Sequence, residues 1–272
     1  MILHEKLIEI TPNVFICLPL VNLDETYFNL IKEYRFNLEI GFDFKALDKF
    51  SHDYFRTIAN KLRDLVDGMT IHAPFHELFP GALDKSVRDA AVERLDAAFA
   101  AAKFFSPKSV VMHLNYEERR FRFVYDEWYK NAIFNLKRYA ELCGEMGSFL
   151  SVENVFEETP VAMKEVFSDL KGYPVYHCLD VGHLNCFSNT SLDVWLAELG
   201  PFIRQLHLHD NDGKSDTHSP IGTGNVDLEI IRKFISEANP KPLITLEPHS
   251  LEDLWKTLEG FRNAGFPEAL KS

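Results

Sequence analysis

Eight times along this chain a short apolar run gives way to a polar stretch whose apolar residues recur at helical spacing. That alternation limits the fold more than any other feature. The runs are VFICLPL (14–20), NLEIGFD (37–43), MTIHAPF (69–75), SVVMHLNY (109–116), SFLSVENV (148–155), VYHCLDVGH (175–183), IRQLHLHD (203–210) and PLITLEPH (242–249). The helices expected between them include one opening near Asp24, one over 52–66, the Ala-rich SVRDAAVERLDAAFAAAKFF, and the long EWYKNAIFNLKRYAELCGEM ended by Gly147. Strand–helix units repeating at about 30 residues build a parallel sheet. Eight of them close a barrel. The competing doubly wound sheet normally carries a glycine-rich turn after its first strand, and LPLVNLDE has none. The expected fold is an α/β (β/α)8 TIM barrel, one domain over 1–272, with no linker.

Composition supports a folded, water-soluble chain. A hydrophobic content of 46% with 23 Phe supplies a core. There is no run of about 18 apolar residues to span a membrane, and the charged start MILHEKLIEITPN does not resemble a secretory leader. Cys17, Cys143, Cys178 and Cys186 are scattered without a CxxC, the pattern of reduced thiols in a cytoplasmic protein. A net charge of −12 opposes non-specific nucleic-acid binding. The outer helices of barrels often pair, so a homodimer is allowed, although no apolar stripe demands one.

Barrel active sites lie at the C-terminal ends of the strands. The third to the eighth expected strands each carry an ionisable residue there: His72, His113, Glu153, Asp180 with His183, His207 with His209, and Glu247. A carboxylate such as Glu153 in an apolar strand is costly to bury unpaired. The seventh strand runs into a long polar loop, so three His and three Asp (Asp210, Asp212, Asp216 and His218 among them) fall within twelve residues. Loops of this length inside a compact domain are usually functional. His207 and His209, two apart on a strand, share a face. His177, three before Asp180, takes the opposite face and reads as structural. His4 and His52 lie outside the strand ends and read as surface groups; His76, Glu77 and His249 fall near the mouth, within reach of a substrate but without an assigned role.

Carboxylates mixed with imidazoles and no thiolate suit Zn²⁺, Mn²⁺, Co²⁺ or Fe²⁺. Glu153, Asp180, His207 and Glu247 would supply three oxygens and one nitrogen and leave positions open for substrate. GTG at 222–224 offers a weak phosphate-binding signal. Arg119, Arg120 and Arg122, interleaved with Phe121 and Phe123, form the basic cluster near the mouth; it fits either a nucleic acid or phosphate, or an amphipathic cover.

The motifs HAPF (72–75), Glu-Asn (153–154), DVGH (180–183), HLHD (207–210), DTHSPIGTG (216–224) and LEP (246–248) resemble the xylose isomerase-like TIM-barrel superfamily over nearly the whole chain. That superfamily includes sugar and sugar-phosphate isomerases and epimerases and endonuclease IV. The resemblance implies one divalent metal on Glu153, Asp180, His207 and Glu247, with Glu153 and Glu247 moving a proton through a cis-enediolate and His183 and His218 holding substrate hydroxyls. It equally implies an alternative, a zinc phosphodiesterase acting on abasic DNA, because His72, His113, Glu153, Asp180, His183, His207, Asp216, His218 and Glu247 match the nine ligands of a three-zinc site. The loop NYEERRFRFVYDE and a GTG where endonuclease IV usually has GEG depart from that second pattern. The expected substrate is a small sugar or sugar phosphate. A barrel that keeps the site for dehydration or decarboxylation is the third class.

Overall fold

The structure, a computed structural model, describes residues 7–271. His4 lies outside the described residues. Eight parallel strands pair in chain order and the last closes on the first. They are β1 (Phe15–Pro19), β2 (Asn37–Gly41), β3 (Met69–His72), β4 (Ser109–His113), β5 (Phe149–Glu153), β6 (Val175–Asp180), β7 (Ile203–Leu208) and β8 (Leu243–Leu246). The (β/α)8 TIM barrel is thus present, with strands that mostly stop two or three residues earlier than the apolar runs suggest.

Local chemistry sets the helix ends. Asp24, Asp43, Ser51, Asp84, Asp227 and Ser250 each accept a backbone N–H at the start of the helix that follows, an interaction worth about 1 kcal/mol apiece. Helix Tyr125–Glu145 ends at Gly147, whose φ of +69° is the left-handed conformation that glycine adopts freely.

The apolar core lies between strands and helices, where Phe42 meets Phe55 and Phe105 edge-on at 5.2 and 5.4 Å and Trp128, Trp195 and Tyr139 are fully buried. The barrel interior differs. Barrels are commonly filled by branched aliphatic side chains, yet here the fully buried Glu39, Thr70, Ser109, Ser151, Gln205 and Thr245 occupy strands β2, β3, β4, β5, β7 and β8. All but Ser151 bond across the barrel: Ser109 donates to Gln205 at 2.7 Å, and Gln205 donates to Glu39 at 2.6 Å. Among the described residues, no helix is long and apolar enough to cross a membrane.

Candidate metal centre

Strand register assembles the site. His113 pairs with Glu153 across β4 and β5, and Asp180 with His207 across β6 and β7. His207 pairs with Thr245 of β8, two residues before Glu247. His72, His113, Glu153 and Asp180 are the last residues of their strands. In a strand alternate side chains share a face, so these groups stand on the inner rim of one mouth.

Glu153 is the hub. Its Oε2 lies 3.1 Å from His72 Nε2 and 3.3 Å from His113 Nε2. Its Oε1 lies 3.3 Å from His183 Nδ1 and 3.4 Å from His207 Nδ1. His207 Nδ1 is also 3.1 Å from Glu247 and 3.8 Å from Asp180. Asp216 Oδ2 completes the ring, 3.2 Å from His183 Nε2 and 3.1 Å from His218 Nε2, while His218 Nδ1 is 3.4 Å from Glu247. All nine residues singled out in the sequence meet here.

His183 arrives by a different route from the expected one. The sixth apolar run suggests a strand as far as residue 183, but β6 ends at Asp180, which caps helix Val181–Phe187 by accepting the His183 N–H at 2.7 Å. A capping carboxylate stops the strand because it satisfies a first-turn donor. Gly182 in that turn is required by space: a Cβ there would lie 1.9 Å from His209 Cε1. His209 uses this room to place Nε2 3.1 Å from Asp180.

The loop carboxylates separate into different jobs. Asp210 accepts from the N–H groups of Asn211, Gly222 and Val226 at 2.9, 2.9 and 3.1 Å. Asp212 accepts from Lys214 and Ser215. Only Asp216 reaches the imidazoles. The GTG segment therefore does not present Gly222 N–H to a phosphate, since Asp210 already takes it. Gly224 is needed where it stands, as a Cβ would lie 2.1 Å from the Asn211 carbonyl oxygen.

Electrostatics follow from the mixture. Burial alone would raise the Glu153 carboxyl, but His207, His113 and His183 hold it well below the usual carboxylate range. Glu247 is likewise pulled down by His207 and His218 against the effect of burial. Burial would lower His207, yet Cys178, Glu39, Glu247 and Glu153 push it well up. His183 is also raised, by Asp180, Asp216 and Glu153 against burial. His113 goes the other way, because burial outweighs Glu153 there. Positive charge is favoured between these carboxylates whether it comes as a proton or as a cation.

The donor set fits a divalent metal. His207 Nδ1, His218 Nδ1 and Asp216 Oδ1 are buried and make no hydrogen bond. Such orphaned groups cost about 1–3 kcal/mol each, and coordination would satisfy them. Ligand atoms lie within 4.8 Å of one another in the groups His72/His113/Glu153, Glu153/Asp180/His183 and His183/His209/Asp216/His218. Cys17 and Cys178, read from sequence as reduced thiols, also border the cluster. Burial, helped by Glu247 and Glu39 at Cys17, pushes both thiols well up and disfavours the thiolate that binds metal.

The remaining histidines lie elsewhere or at the edge. His177 packs between Phe167 and Trp195 on the outer face of β6, as its strand position requires. His52 is exposed, and His76 stacks on Phe75 outside the ring. Glu77 occupies a left-handed turn. His249 stacks on His218 at 4.4 Å, at the mouth where its sequence position put it. In the basic cluster Phe121 is buried against Trp128 and Arg120 pairs with Glu117 at 3.5 Å, whereas Phe123 is 85% exposed. The segment thus has one buried face and one wet face.

Sequence reasoning missed Glu39. It is fully buried in the middle of β2, with Oε1 3.0 Å from His207 Nε2. The criterion that flagged Glu153, a carboxylate within an apolar strand, applies equally to NLEIGFD. The search for strand ends passed over it.

Fold and site together define a class. The chain belongs to the xylose isomerase-like TIM-barrel family, whose pattern matches residues 35–264. An uncharacterized protein of Methanocaldococcus jannaschii is 28% identical over 207 residues, covering 73% of this chain and 71% of the relative. Among solved structures, a D-tagatose 3-epimerase-like protein superposes with a TM-score of 0.78 at 24% identity over 95% of this chain and 98% of its own. A Thermus thermophilus protein, solved after soaking with zinc chloride, gives 0.78 at 23% identity over 93% and 98%. At these identities the two structures share the fold with this chain.

Proposed function

We propose that the protein is a divalent-metal-dependent sugar or sugar-phosphate isomerase or epimerase in which Glu153 and Glu247 move the proton. The observation that carries this reading is that both carboxylates face the same nitrogen, His207 Nδ1, at 3.4 and 3.1 Å, from strands on different sides of the mouth. Two carboxylates reaching one cavity from different directions can take a proton from one face of a carbon and return it to the other. Both are held in the charged form by neighbouring imidazoles and so begin as acceptors. Glu247, 9% exposed against 1% for Glu153, is the one an incoming substrate meets first. His183 and His218 stand where they can hold hydroxyls. A Zn²⁺ or Mn²⁺ ion held by Glu153, Asp180, His207 and Glu247 would polarise the substrate carbonyl and stabilise the charge of a cis-enediolate. The D-tagatose 3-epimerase-like neighbour supports the substrate class.

Glu153→Gln and Glu247→Gln should each slow solvent-deuterium incorporation into a ketose by about 10²–10⁴-fold while the fold survives. Unchanged exchange in Glu247→Gln removes it from proton transfer.

A second reading, an endonuclease IV-like zinc phosphodiesterase, is favoured by the adjoining ligand groups His72/His113/Glu153, Glu153/Asp180/His183 and His183/His209/Asp216/His218, which hold seven of the nine residues together with His209. It calls for about three zinc ions per chain and incision of a duplex carrying an abasic site. A zinc-loaded protein that leaves such a duplex intact disposes of it.

A further inference from the structure

The residue on the far side of His207 has no part in the readings above. Glu39 sits below the mouth, in the centre of the polar barrel interior, and its two oxygens are used differently. Oε2 accepts three hydrogen bonds, from Thr70 Oγ1 at 2.9 Å, Gln205 Nε2 at 2.6 Å and Thr245 Oγ1 at 3.1 Å. Those donors come from β3, β7 and β8, so the carboxyl group is tethered from three directions. Oε1 lies 3.0 Å from His207 Nε2 as an ion-pair contact, and neither of these two buried atoms makes a hydrogen bond. The opposite ring nitrogen, Nδ1, faces Glu153, Glu247 and Asp180.

We propose that Glu39 is a positioning residue for the metal centre: held by Thr70, Gln205 and Thr245, it keeps the proton of His207 on Nε2 and turns Nδ1 toward Glu153, Asp180 and Glu247. An imidazole has two nitrogens, and the one that binds a cation is decided by what the other donates to. Without Glu39, His207 is free to rotate or to present the wrong tautomer. The buried threonines and glutamine beneath it also gain a reason to occupy a barrel interior that aliphatic side chains usually fill. This inference rests on the reading of Glu153, Asp180, His207 and Glu247 as a metal site, but not on which reaction that site performs.

The test begins with wild-type protein, titrated with Zn²⁺ or Mn²⁺ against a chromophoric chelator. A wild type that holds neither ion overturns the metal reading and this inference with it. Given binding, Glu39→Gln, which keeps size and shape, should weaken affinity roughly 10–100-fold, the range for loss of a carboxylate behind a ligating histidine. It should also shift the visible absorption bands of the Co²⁺-substituted protein, which report on ligand geometry and which a general loss of stability would not move. Wild-type affinity together with an unchanged Co²⁺ spectrum in Glu39→Gln overturns the role of Glu39 while leaving the metal reading intact. If the variant fails to fold, imidazole ¹⁵N resonances of zinc-loaded wild type decide: metal on His207 Nδ1 with a proton on Nε2 is expected, and metal on Nε2 overturns the proposal.

Discussion

His177 and His207 are both fully buried, both on strands of the same barrel, and environment sends them in opposite directions. His177, on the outer face of β6, places Nδ1 3.0 Å from the Val152 carbonyl oxygen between two aromatic rings, and burial pushes its pKa down to about 4. His207, on the inner face of β7, stands among Glu39, Glu153 and Glu247, which together with Cys178 outweigh burial and push it well up. Burial alone therefore does not mark a functional histidine. What sets His207 apart is several carboxylates converging from separate strands, an arrangement too costly to assemble unless positive charge is held there.

The comparison can be broken by experiment. The largest effect expected is at His207: replacement by Ala should cost more than the roughly 100-fold in metal affinity assigned to outer groups, while the metal-free protein still melts cooperatively. His177→Ala should do the reverse, keeping metal affinity and losing about 2–5 kcal/mol of stability to the cavity left beside Trp195. Denaturant titrations with and without metal separate the two, and equal metal loss in both variants would erase the distinction.

Next in size is the acid limb of stability. The unfolded His177 titrates near 6.5 and the folded one near 4, so the native state binds fewer protons between those values. Stability present above pH 6.5 is then lost as pH falls through 4, by about 3 kcal/mol. A His177 variant should lack that slope. His218 behaves oppositely: burial lowers it, but Asp216 and Glu247 raise it to about 9. In metal-free protein its contribution is present below pH 6.5 and lost as pH rises through 9. Added Zn²⁺ should flatten this alkaline limb, the smallest of the effects, and unfolding curves at pH 6 and 9 with and without metal will show it.

Much of this was readable from the chain. Strand parity separated His177 from Asp180, and strand-end position gathered His72, His113, Glu153, Asp180, His207 and Glu247. Three things were not readable. The end of β6 depended on Asp180 acting as a helix cap, which the apolar run VYHCLDVGH conceals. Asp210, Asp212 and Asp216 are the same residue type in the same loop, and only the fold-back pairing of Asp210 with Ser219 decides which one meets the imidazoles. For Glu39 the buried-carboxylate criterion was available, but its partner was not: alternation gives its direction, and His207, far along the sequence, comes beside it only when the barrel closes.

Asp210 has a consequence for how the site is made. By binding the N–H groups of Asn211, Gly222 and Val226, one carboxylate clasps both ends of the excursion that carries Asp216 and His218. The ordering entropy of that excursion is met during folding and is not charged to substrate binding. The tip is held by short-range bonds of its own, Gly213 N–H to Asn211 Oδ1 and Lys214 N–H to Asp212 Oδ1, and not by Asp210, so the Lys214 side chain can change while Asp216 and His218 keep their places. The mouth can thus acquire new selectivity at one point without rebuilding its chemistry.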